Sequence, residues 1–464
     1  MSRNKDGFFI GITCPGCGGN LEIQSDFFVL NCSHCGSNLR IKMPEIPPAY
    51  LIRSDKPTRE IRFHLDRYLR RNSLPLSGPG LTLTPIYYPY WKIDAVLLKV
   101  RHETIERVST DNYEFDNVKT YDQKMTDIRL TSYTASQSAG PPIDFIPPSI
   151  GVRSQYSKII PYSSENLEED FSSLPAVKSW VQTEHDLKGS ISSIASVSQA
   201  QYGKNRTKLF HPTGVIIYFP YYIVRTNLRG TIGWFILDGV TGKVINQIDK
   251  EVDMDRLIGQ RQGGFEFGKL SVEFHRCHNC GVDLPNRQSH IYICDNCGDL
   301  ISLGNMNYKL KGVYRAGSEN IDSQRMFPFW ALKLDNNDAL RLKNFYGGIY
   351  GSDILAIPAF RIPNFEAMYR LSKRISAACP RLDMMPLEKQ GENFAEAALS
   401  IEEALTMAEV IAYREFTNRD NNAEYNAGNI NPVEVSLFYA PFHKEHYFYV
   451  DSVLGAVTFE KNLA

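Results

Sequence analysis

Eight of the nine cysteines in this 464-residue chain fall into two groups of four. Each group is made of two Cys-x-x-Cys pairs: Cys14, Cys17, Cys32 and Cys35, then Cys277, Cys280, Cys294 and Cys297. Thiolates are preferred zinc ligands, and two such pairs can surround one ion tetrahedrally. The spacing therefore predicts two Zn²⁺ sites. Because four thiolates close the coordination sphere, the predicted role of both ions is structural rather than catalytic.

A glycine follows the second thiol of every pair, where its access to left-handed backbone angles suits a tight metal-binding knuckle. Short apolar runs at 27–30 and 291–293 predict strands that lead into the second pair of each group. A redox dithiol is the alternative for a single Cys-x-x-Cys pair, but four pairs in two sets argue against it. Four histidines also lie near the thiols: His34, His275, His278 and His290. With four cysteines at each site, we expect them to be surface residues.

The segments around the quartets recur in the same order in both halves of the chain. Each quartet precedes an aromatic-Pro-aromatic-Trp segment (88–91 and 327–330), helical patterns, a second proline-aromatic segment (at Pro220 and Pro441) and an Asp-x-Val-x-Gly-x-Val run (in 235–244 and 448–457). We therefore predict an α+β fold built by internal tandem duplication. Its predicted parts are a zinc ribbon at 8–42, a first α+β body at 43–250, a linker at 251–269, a second ribbon at 270–303 and a second body at 304–464.

The four proline-aromatic segments are expected at strand starts, edges or bulges, because proline has no N–H for a sheet ladder. Their Tyr, Phe and Trp rings would then pack across the sheet face. The alternative is that the rings are exposed and either stack on single-stranded nucleic acid or anchor a partner protein. The sequence leaves both interpretations open.

A helix predicted at 58–71 carries the densest basic cluster of the chain: Arg59, Arg62, Arg67, Arg70 and Arg71. This cluster is either a solvated helix face or a phosphate-binding patch. A second helix is predicted to begin with a capping box made of Ser400 and Glu403.

The composition shows no overall attraction to nucleic acid or to an anionic membrane, since 51 basic and 52 acidic side chains give a net charge of −1. The longest apolar run, 215–224, is interrupted by Pro220 and is shorter than the roughly 20 residues that span a bilayer. Zinc thiolates indicate a reducing compartment, and no signal peptide is recognised before Cys14. These features predict a soluble cytoplasmic protein without a transmembrane segment.

No catalytic motif is recognised in the sequence. It contains no P-loop, dinucleotide fingerprint, His-Glu-x-x-His or Gly-x-Ser-x-Gly. Cys379 is the one thiol outside the quartets, and we expect a buried core cysteine there. The sequence therefore predicts a protein that is not an enzyme.

The quartets resemble the zinc-ribbon class, which occurs in transcription factors, ribosomal proteins, polymerase subunits and many uncharacterised bacterial proteins. This resemblance implies a zinc-bound pair of β-hairpins at each quartet and no single activity. The runs 235–244 and 448–457 resemble the strand-turn-strand ending of PepSY-like modules, which are small α+β domains with protein-binding or inhibitory roles. The combination is similar to uncharacterised bacterial zinc-ribbon proteins sometimes labelled helicase- or primosome-related, although this chain has no ATPase motif.

Two functions follow as hypotheses. The first is a non-enzymatic adaptor or assembly subunit that belongs to a larger complex and engages protein partners through its ribbons and aromatic-rich surfaces. The alternative is a nucleic-acid-binding accessory factor, related to transcription or replication, that uses the 58–71 helix and the ribbons. The neutral net charge counts against the alternative.

Overall fold

The computed structural model describes most of the chain: residues 10–23, 28–42, 44, 46–54, 56–75, 80–110, 118–151, 159–202, 205–259, 266–303, 308–317, 324–342, 353–362, 364–417, 430–452 and 458–460. Over these residues the protein is a mixed α+β fold. Each of two four-cysteine segments precedes a body built on a β-sheet.

The first cysteine segment contains four short strands: β1 (Ile10–Thr13), β2 (Asn20–Ile23), β3 (Val29–Asn31) and β4 (Asn38–Lys42). The first body contains β5 (Ala49–Ile52), α1 (Thr58–Arg71), β6 (Thr82–Thr110), β7 (Val118–Ser138), β8 (Ile159–Pro161), β9 (Ser172–Ser173), α2 (Trp180–Tyr202), β10 (Asn205–Leu228), β11 (Thr231–Asp238) and β12 (Val244–Ile248). The segment predicted as a linker contains a short helix, α3 (Met254–Gly259).

The second cysteine segment contains β13 (Ser271–Phe274), β14 (Ile291–Ile293) and β15 (Leu300–Ser302). The second body contains β16 (Leu310–Ala316), β17 (Arg325–Lys333), α4 (Asn336–Arg341), β18 (Ile354–Pro358), α5 (Phe365–Ala378), a 3-10 turn (Cys379–Arg381), β19 (Met384–Pro386), α6 (Ile401–Thr417), β20 (Glu434–Glu445), β21 (Phe448–Asp451) and β22 (Thr458–Glu460).

The central strand of the first body is β10. Along one side it pairs antiparallel with β6, with Pro89 opposite Tyr218. Along its other side it pairs parallel with β5 and then, beyond Pro220, antiparallel with β11. Strand β6 changes neighbours in the same way, from β9 to β7, on either side of Pro89.

The second body has the same arrangement around β20. This strand pairs antiparallel with β17, with Pro328 opposite Tyr439. On its other side it pairs parallel with β16 as far as Tyr439 and antiparallel with β21 from Phe442, so the change of neighbour falls at Pro441. Strand β17 pairs with β18 only after Pro328.

All four prolines therefore lie inside strands and not at strand starts, edges or bulges, so that prediction is wrong. The physical reason is that each proline lies where one neighbouring strand ends and the next begins, and no ladder bond from its nitrogen is needed there. Its carbonyl accepts a hydrogen bond from the first residue beyond a neighbouring strand: Ala139 N to Pro89 O (3.0 Å), Gly239 N to Pro220 O (2.9 Å), Ala359 N to Pro328 O (2.9 Å) and Ser452 N to Pro441 O (2.9 Å).

The aromatic side chains beside the prolines are buried. They include Tyr87, Tyr88, Tyr90, Trp91, Tyr218, Phe219, Tyr221, Phe327, Phe329, Trp330, Tyr439 and Phe442. The indole nitrogens also have partners, since Trp91 Nε1 donates to Lys178 O at 2.8 Å and Trp330 Nε1 donates to Leu399 O at 2.9 Å. The prediction that these rings pack on the sheet is confirmed. They cannot stack on nucleic acid or anchor a partner without opening the core.

Helix α1 lies on the sheet of the first body through the apolar stripe predicted for it. Ile61, Leu65 and Leu69 are buried against a group that includes Phe235 and Leu237. Burying three such side chains contributes roughly 1.5–3 kcal/mol each, which fixes the opposite, basic face toward solvent.

Helices α2 and α6 begin in the same way. The side chain of Gln182 accepts from Ser179 N at 3.0 Å, and that of Glu403 accepts from Ser400 N at 2.8 Å. In return each serine hydroxyl accepts the backbone N–H of its partner, at 3.3 Å and 3.2 Å. The capping box predicted for α6 is therefore confirmed, and α2 has an equivalent one.

Helix α6 also joins the two bodies. Val410 and Tyr413 on this helix pack in one buried cluster with Leu98 of β6 and Phe210 of β10. The second body is thereby held against the sheet of the first.

Candidate metal centres

The first quartet lies on two adjacent hairpins. Cys14 and Cys17 occupy the turn between β1 and β2, and Cys32 and Cys35 occupy the turn between β3 and β4. The Sγ atoms of Cys14 and Cys35 are 3.8 Å apart, as are those of Cys17 and Cys32. The structure therefore brings all four predicted ligands together.

The second quartet has the same geometry. Cys294 and Cys297 occupy the turn between β14 and β15, and Cys277 and Cys280 lie in a turn closed by a bridge between residues 276 and 283. The Cys277 and Cys297 Sγ atoms are 3.7 Å apart, and those of Cys280 and Cys294 are 3.5 Å apart. In each quartet all four Sγ atoms lie within 4.8 Å of one another.

The four turns share one backbone hydrogen-bond pattern. The carbonyl of the first cysteine accepts from the glycine after the second, as in Gly18 N to Cys14 O (2.9 Å) and Gly298 N to Cys294 O (2.8 Å). These glycines have φ values of 70° and 74°. A side chain would be strained at such angles, which explains why glycine follows every pair.

The sulfur geometry fits a tetrahedral metal ion. With metal–sulfur bonds of about 2.3 Å, as for zinc, the sulfur atoms of a tetrahedral site lie about 3.8 Å apart. The observed separations of 3.5–3.8 Å match this spacing. They are far longer than the ~2.05 Å of a disulfide bond, and all eight cysteines are free thiols. Zinc bound here would supply no catalytic chemistry, because the four cysteines leave no open ligand position.

Electrostatics also favour a cation at each quartet. Four thiols this close cannot all ionise alone, because each thiolate raises the pKa of the next. Ionisation is assisted at one position per site: hydrogen bonds with Ser37 lower the pKa of Cys35 to about 6, and hydrogen bonds with Asn296 and Val282 lower the pKa of Cys280 to about 6. A divalent ion would offset two of the four negative charges and so favour ionisation of the other thiols.

The two cysteine segments pack against each other as one unit, which we call the double ribbon (residues 10–23, 28–42 and 271–302). Strand β13 pairs antiparallel with β4, with Phe274 opposite Leu39. An ion pair between Arg40 Nε and Glu273 Oε1 spans the same strands at 2.6 Å. Phe274 also packs with Cys14 and Leu39 in the core of the first segment.

The first segment in turn completes the core of the second. Val29 is fully buried in a cluster with Cys277, Tyr292 and Cys294. The side-chain amide of Gln288 binds both backbone groups of this valine. Its Oε1 accepts from Val29 N at 3.3 Å, and its Nε2 donates to Val29 O at 2.6 Å. Each ribbon therefore supplies apolar side chains to the core of the other.

The structure corrects the prediction for two of the four histidines. His34 and His278 are exposed as expected, but His275 is fully buried and lies edge-on to Tyr292 at 4.8 Å. Burial lowers the pKa of His275 to about 4, so its ring is neutral. The ring of His290 stacks on Phe28 at 4.4 Å. Both rings were expected on the surface because the contact between the ribbons was not foreseen.

Sequence reasoning missed this contact, although one signal was available. Residues 27–30 are apolar on both faces of a strand, whereas a hairpin with one solvent face alternates apolar and polar side chains. Within this run, Val29 packs in the core of the second ribbon and Leu30 packs against the core of the first. Two apolar faces on one strand indicate that a second structural element covers the face that a lone hairpin would expose to solvent.

The other predicted residues lie away from the metal centres. All five arginines of α1 are exposed: Arg59, Arg62, Arg67, Arg70 and Arg71. Phe63 lies among them with 61% of its surface exposed. Cys379 is buried in the second body at 5% exposure, as expected for a core thiol.

No family model matches the chain, and no significant match was found among curated proteins or solved structures. The assignment of the two four-cysteine centres therefore depends on their geometry alone. The resemblances to zinc ribbons and to PepSY-like modules remain predictions. In the described part of the chain, no helix is both long enough and apolar enough to cross a bilayer.

Proposed function

We propose that both quartets hold zinc and that the double ribbon is a structural unit of a non-enzymatic adaptor or assembly subunit. The observation that carries this proposal is the closed set of four thiols at each centre, which leaves no reactive metal position. The second cysteine of every pair is exposed together with its knuckle. A partner protein would contact the chain through these knuckles in a larger, cytoplasmic complex. The buried proline-aromatic segments take no part in this contact.

The metal assignment is tested by metal content. Changing Cys14→Ser should lower the zinc content from two ions to one per chain, measured by native mass spectrometry. Cys379→Ser is the matched control, since this cysteine lies outside both quartets, and it should keep two ions. A Cys14→Ser chain that retains two ions, or one that binds a metal other than zinc in cells, would contradict the assignment.

The adaptor role is tested by the partners that remain bound. The chain would be purified from its native source in mild salt, with and without nuclease treatment, and the mass and composition of the complex determined. We expect a defined protein partner that survives nuclease and is lost when His34 and His278 are changed to Ala. Both are exposed knuckle residues; the exposed Asn337 on α4, changed to Ala, is the control. A complex that collapses to free chain and nucleotide would reject the adaptor role.

A nucleic-acid-binding accessory factor is the second candidate, and the exposed face of α1 favours it. Five arginines surround the exposed Phe63 on this face. Changing Arg67, Arg70 and Arg71 to Gln should weaken binding of a labelled oligonucleotide and reduce the slope of log K against log salt by about 2–3. Arg374→Gln on α5 is the control. Equal binding by both variants would leave this helix face without a nucleic-acid role.

We infer in addition that the two halves descend from an internal duplication. The pairing supports this: Pro89 lies opposite Tyr218, and Pro328 lies opposite Tyr439 in the same strand arrangement. The tryptophan two residues after each of these prolines donates to a carbonyl just before a capped helix. Because each ribbon completes the core of the other, the equivalence is tested in the full chain: Trp91→Phe and Trp330→Phe should lower the unfolding temperature by similar amounts, and very unequal losses would contradict it.

A further inference from the structure

A cavity of about 470 Å³ lies at the seam between the second ribbon and the second body. Its wall is formed by Arg287 of the ribbon, by Arg325 at the start of β17, by Arg361 after β18, and by the segment 392–398. We propose that this cavity binds a small organic anion, in which a carboxylate or phosphate group is carried by a flat apolar body. Its volume falls within the roughly 300–1,000 Å³ of small-molecule sites.

The floor of the cavity is aromatic. Phe327, Phe360 and Phe394 line it and are only 2%, 7% and 8% exposed. The rings of Phe327 and Phe360 lie 5.0 Å apart between centroids, so they form a continuous apolar surface. An apolar group in the cavity would contact the parts of Phe360 and Phe394 that remain exposed and displace water from them, and this contact supplies the apolar part of the binding energy.

The rim carries positive charge. The guanidinium of Arg325 lies 5.7 Å from the centre of the Phe327 ring, and Arg287 Nη1 donates to Gly391 O at 3.3 Å. Within the described part of the chain, neither arginine forms an ion pair with a carboxylate. Two glutamates share the wall, but Glu396 Oε1 accepts from Gln288 N at 3.1 Å. Three arginines against two glutamates leave a net positive site.

The corresponding position in the first body has a different lining. In the shared register, Tyr88 takes the place of Phe327. Gly140 takes the place of Phe360, since each follows the alanine that donates to the carbonyl of Pro89 or Pro328. The Tyr88 ring lies against Gly140, so that a Cβ there would be only 2.7 Å from the ring. The Tyr88 hydroxyl donates to Pro141 O at 2.7 Å. A cavity of about 830 Å³ also borders Gly140 in the first body, so what distinguishes the second half is the pair of Phe327 and Phe360 on the cavity floor.

Binding an anion would connect two parts of the chain. Arg287 belongs to the double ribbon, whereas Arg325 and Arg361 belong to the second body. An anionic group held between them would neutralise guanidinium groups from both sides through charge-assisted hydrogen bonds. Ligand binding would therefore strengthen the packing of the second ribbon against the second body.

The test uses the full, zinc-loaded chain and four probes: phenyl phosphate, benzoate, inorganic phosphate and neutral benzyl alcohol. Binding is measured by isothermal titration calorimetry and by the shift of the unfolding temperature. We expect phenyl phosphate or benzoate to bind, with inorganic phosphate weaker than phenyl phosphate and benzyl alcohol weakest. The stronger of the two aromatic acids identifies the preferred anionic group.

Arg325→Gln should weaken the best probe by about ten- to a hundred-fold, the effect of removing one charge-assisted contact. Ala398→Leu fills the cavity from its wall while keeping all three arginines, and it should also remove binding. Arg374→Gln, which removes an exposed charge outside the cavity, should bind like the wild type. Equal affinity of the Arg325→Gln and Arg374→Gln chains, or no heat with any probe, would overturn the proposal.

Discussion

Changing Val29→Ala in the first ribbon should destabilise the second ribbon. Val29 is fully buried, and its cluster contains Cys277, Tyr292 and Cys294 of the other ribbon. The backbone bonds from Gln288 to this residue do not involve the valine side chain, so they persist in the variant. The substitution therefore isolates the packing of one side chain across the contact between the ribbons.

The expected size follows from the two methyl groups removed. Their transfer from water contributes about 0.8 kcal/mol each, and the residual cavity adds to this, for a total of about 2 kcal/mol. If amide exchange of the second ribbon requires its local opening, such a loss raises the exchange rate by about thirty-fold. The protected amides to follow are Cys277 N, bonded to Val282 O, and Cys294 N, bonded to Asp299 O.

Hydrogen–deuterium exchange with mass spectrometry of peptides from residues 275–302 measures this effect. Val282→Ala is the matched control, because it makes the same chemical change within the second ribbon at a side chain that is 42% exposed. We expect little change in the control and faster exchange in Val29→Ala. Faster exchange confined to residues 10–42 would refute the reasoning and show that the ribbons are independent.

Two further predictions concern ionisable groups. The hydrogen bond from Arg414 lowers the pKa of Glu366. This carboxylate therefore stabilises the fold above its unfolded-state pKa of about 4.3, and the contribution is lost as pH falls through the lowered pKa of the folded state. The unfolding temperature of Glu366→Gln should approach that of the wild type in acid, and a difference that stays constant with pH would contradict this. Burial raises the pKa of Cys379 to about 12. Iodoacetamide at pH 8 should therefore modify this thiol only after the chain unfolds. Modification of Cys379 in the native chain, detected by mass spectrometry, would contradict the prediction.

Local features of the fold could be read from the sequence. The helix predicted at 58–71 coincides with α1, because its apolar stripe and basic face repeat with helical spacing. The cap formed by Ser400 and Glu403 is likewise a contact between near neighbours in the chain. The placement of the prolines was missed, since a change of neighbour at Pro89 depends on strands that are distant in sequence.

The candidate metal sites could also be predicted, because their ligand pairs are close together in the chain. Each ligand pair lies in one turn, so spacing and the following glycine are enough to identify it. The pairing of β4 with β13 could not be predicted, because the strands are short and the contact lies between distant parts of the sequence. Burial of His275 follows only from that pairing, which is why this residue was placed on the surface.

The separation of the two ribbons in sequence does not oppose their packing. The entropy cost of closing a chain segment grows only with the logarithm of its length, so the segment between β4 and β13 costs little more than a much shorter loop. Part of that cost is already met by α6, whose Val410 and Tyr413 hold the second body on the first. Once the bodies are joined, the two ribbons are held close together, and the contacts of Val29 and Phe274 are then sufficient to fix them as one unit.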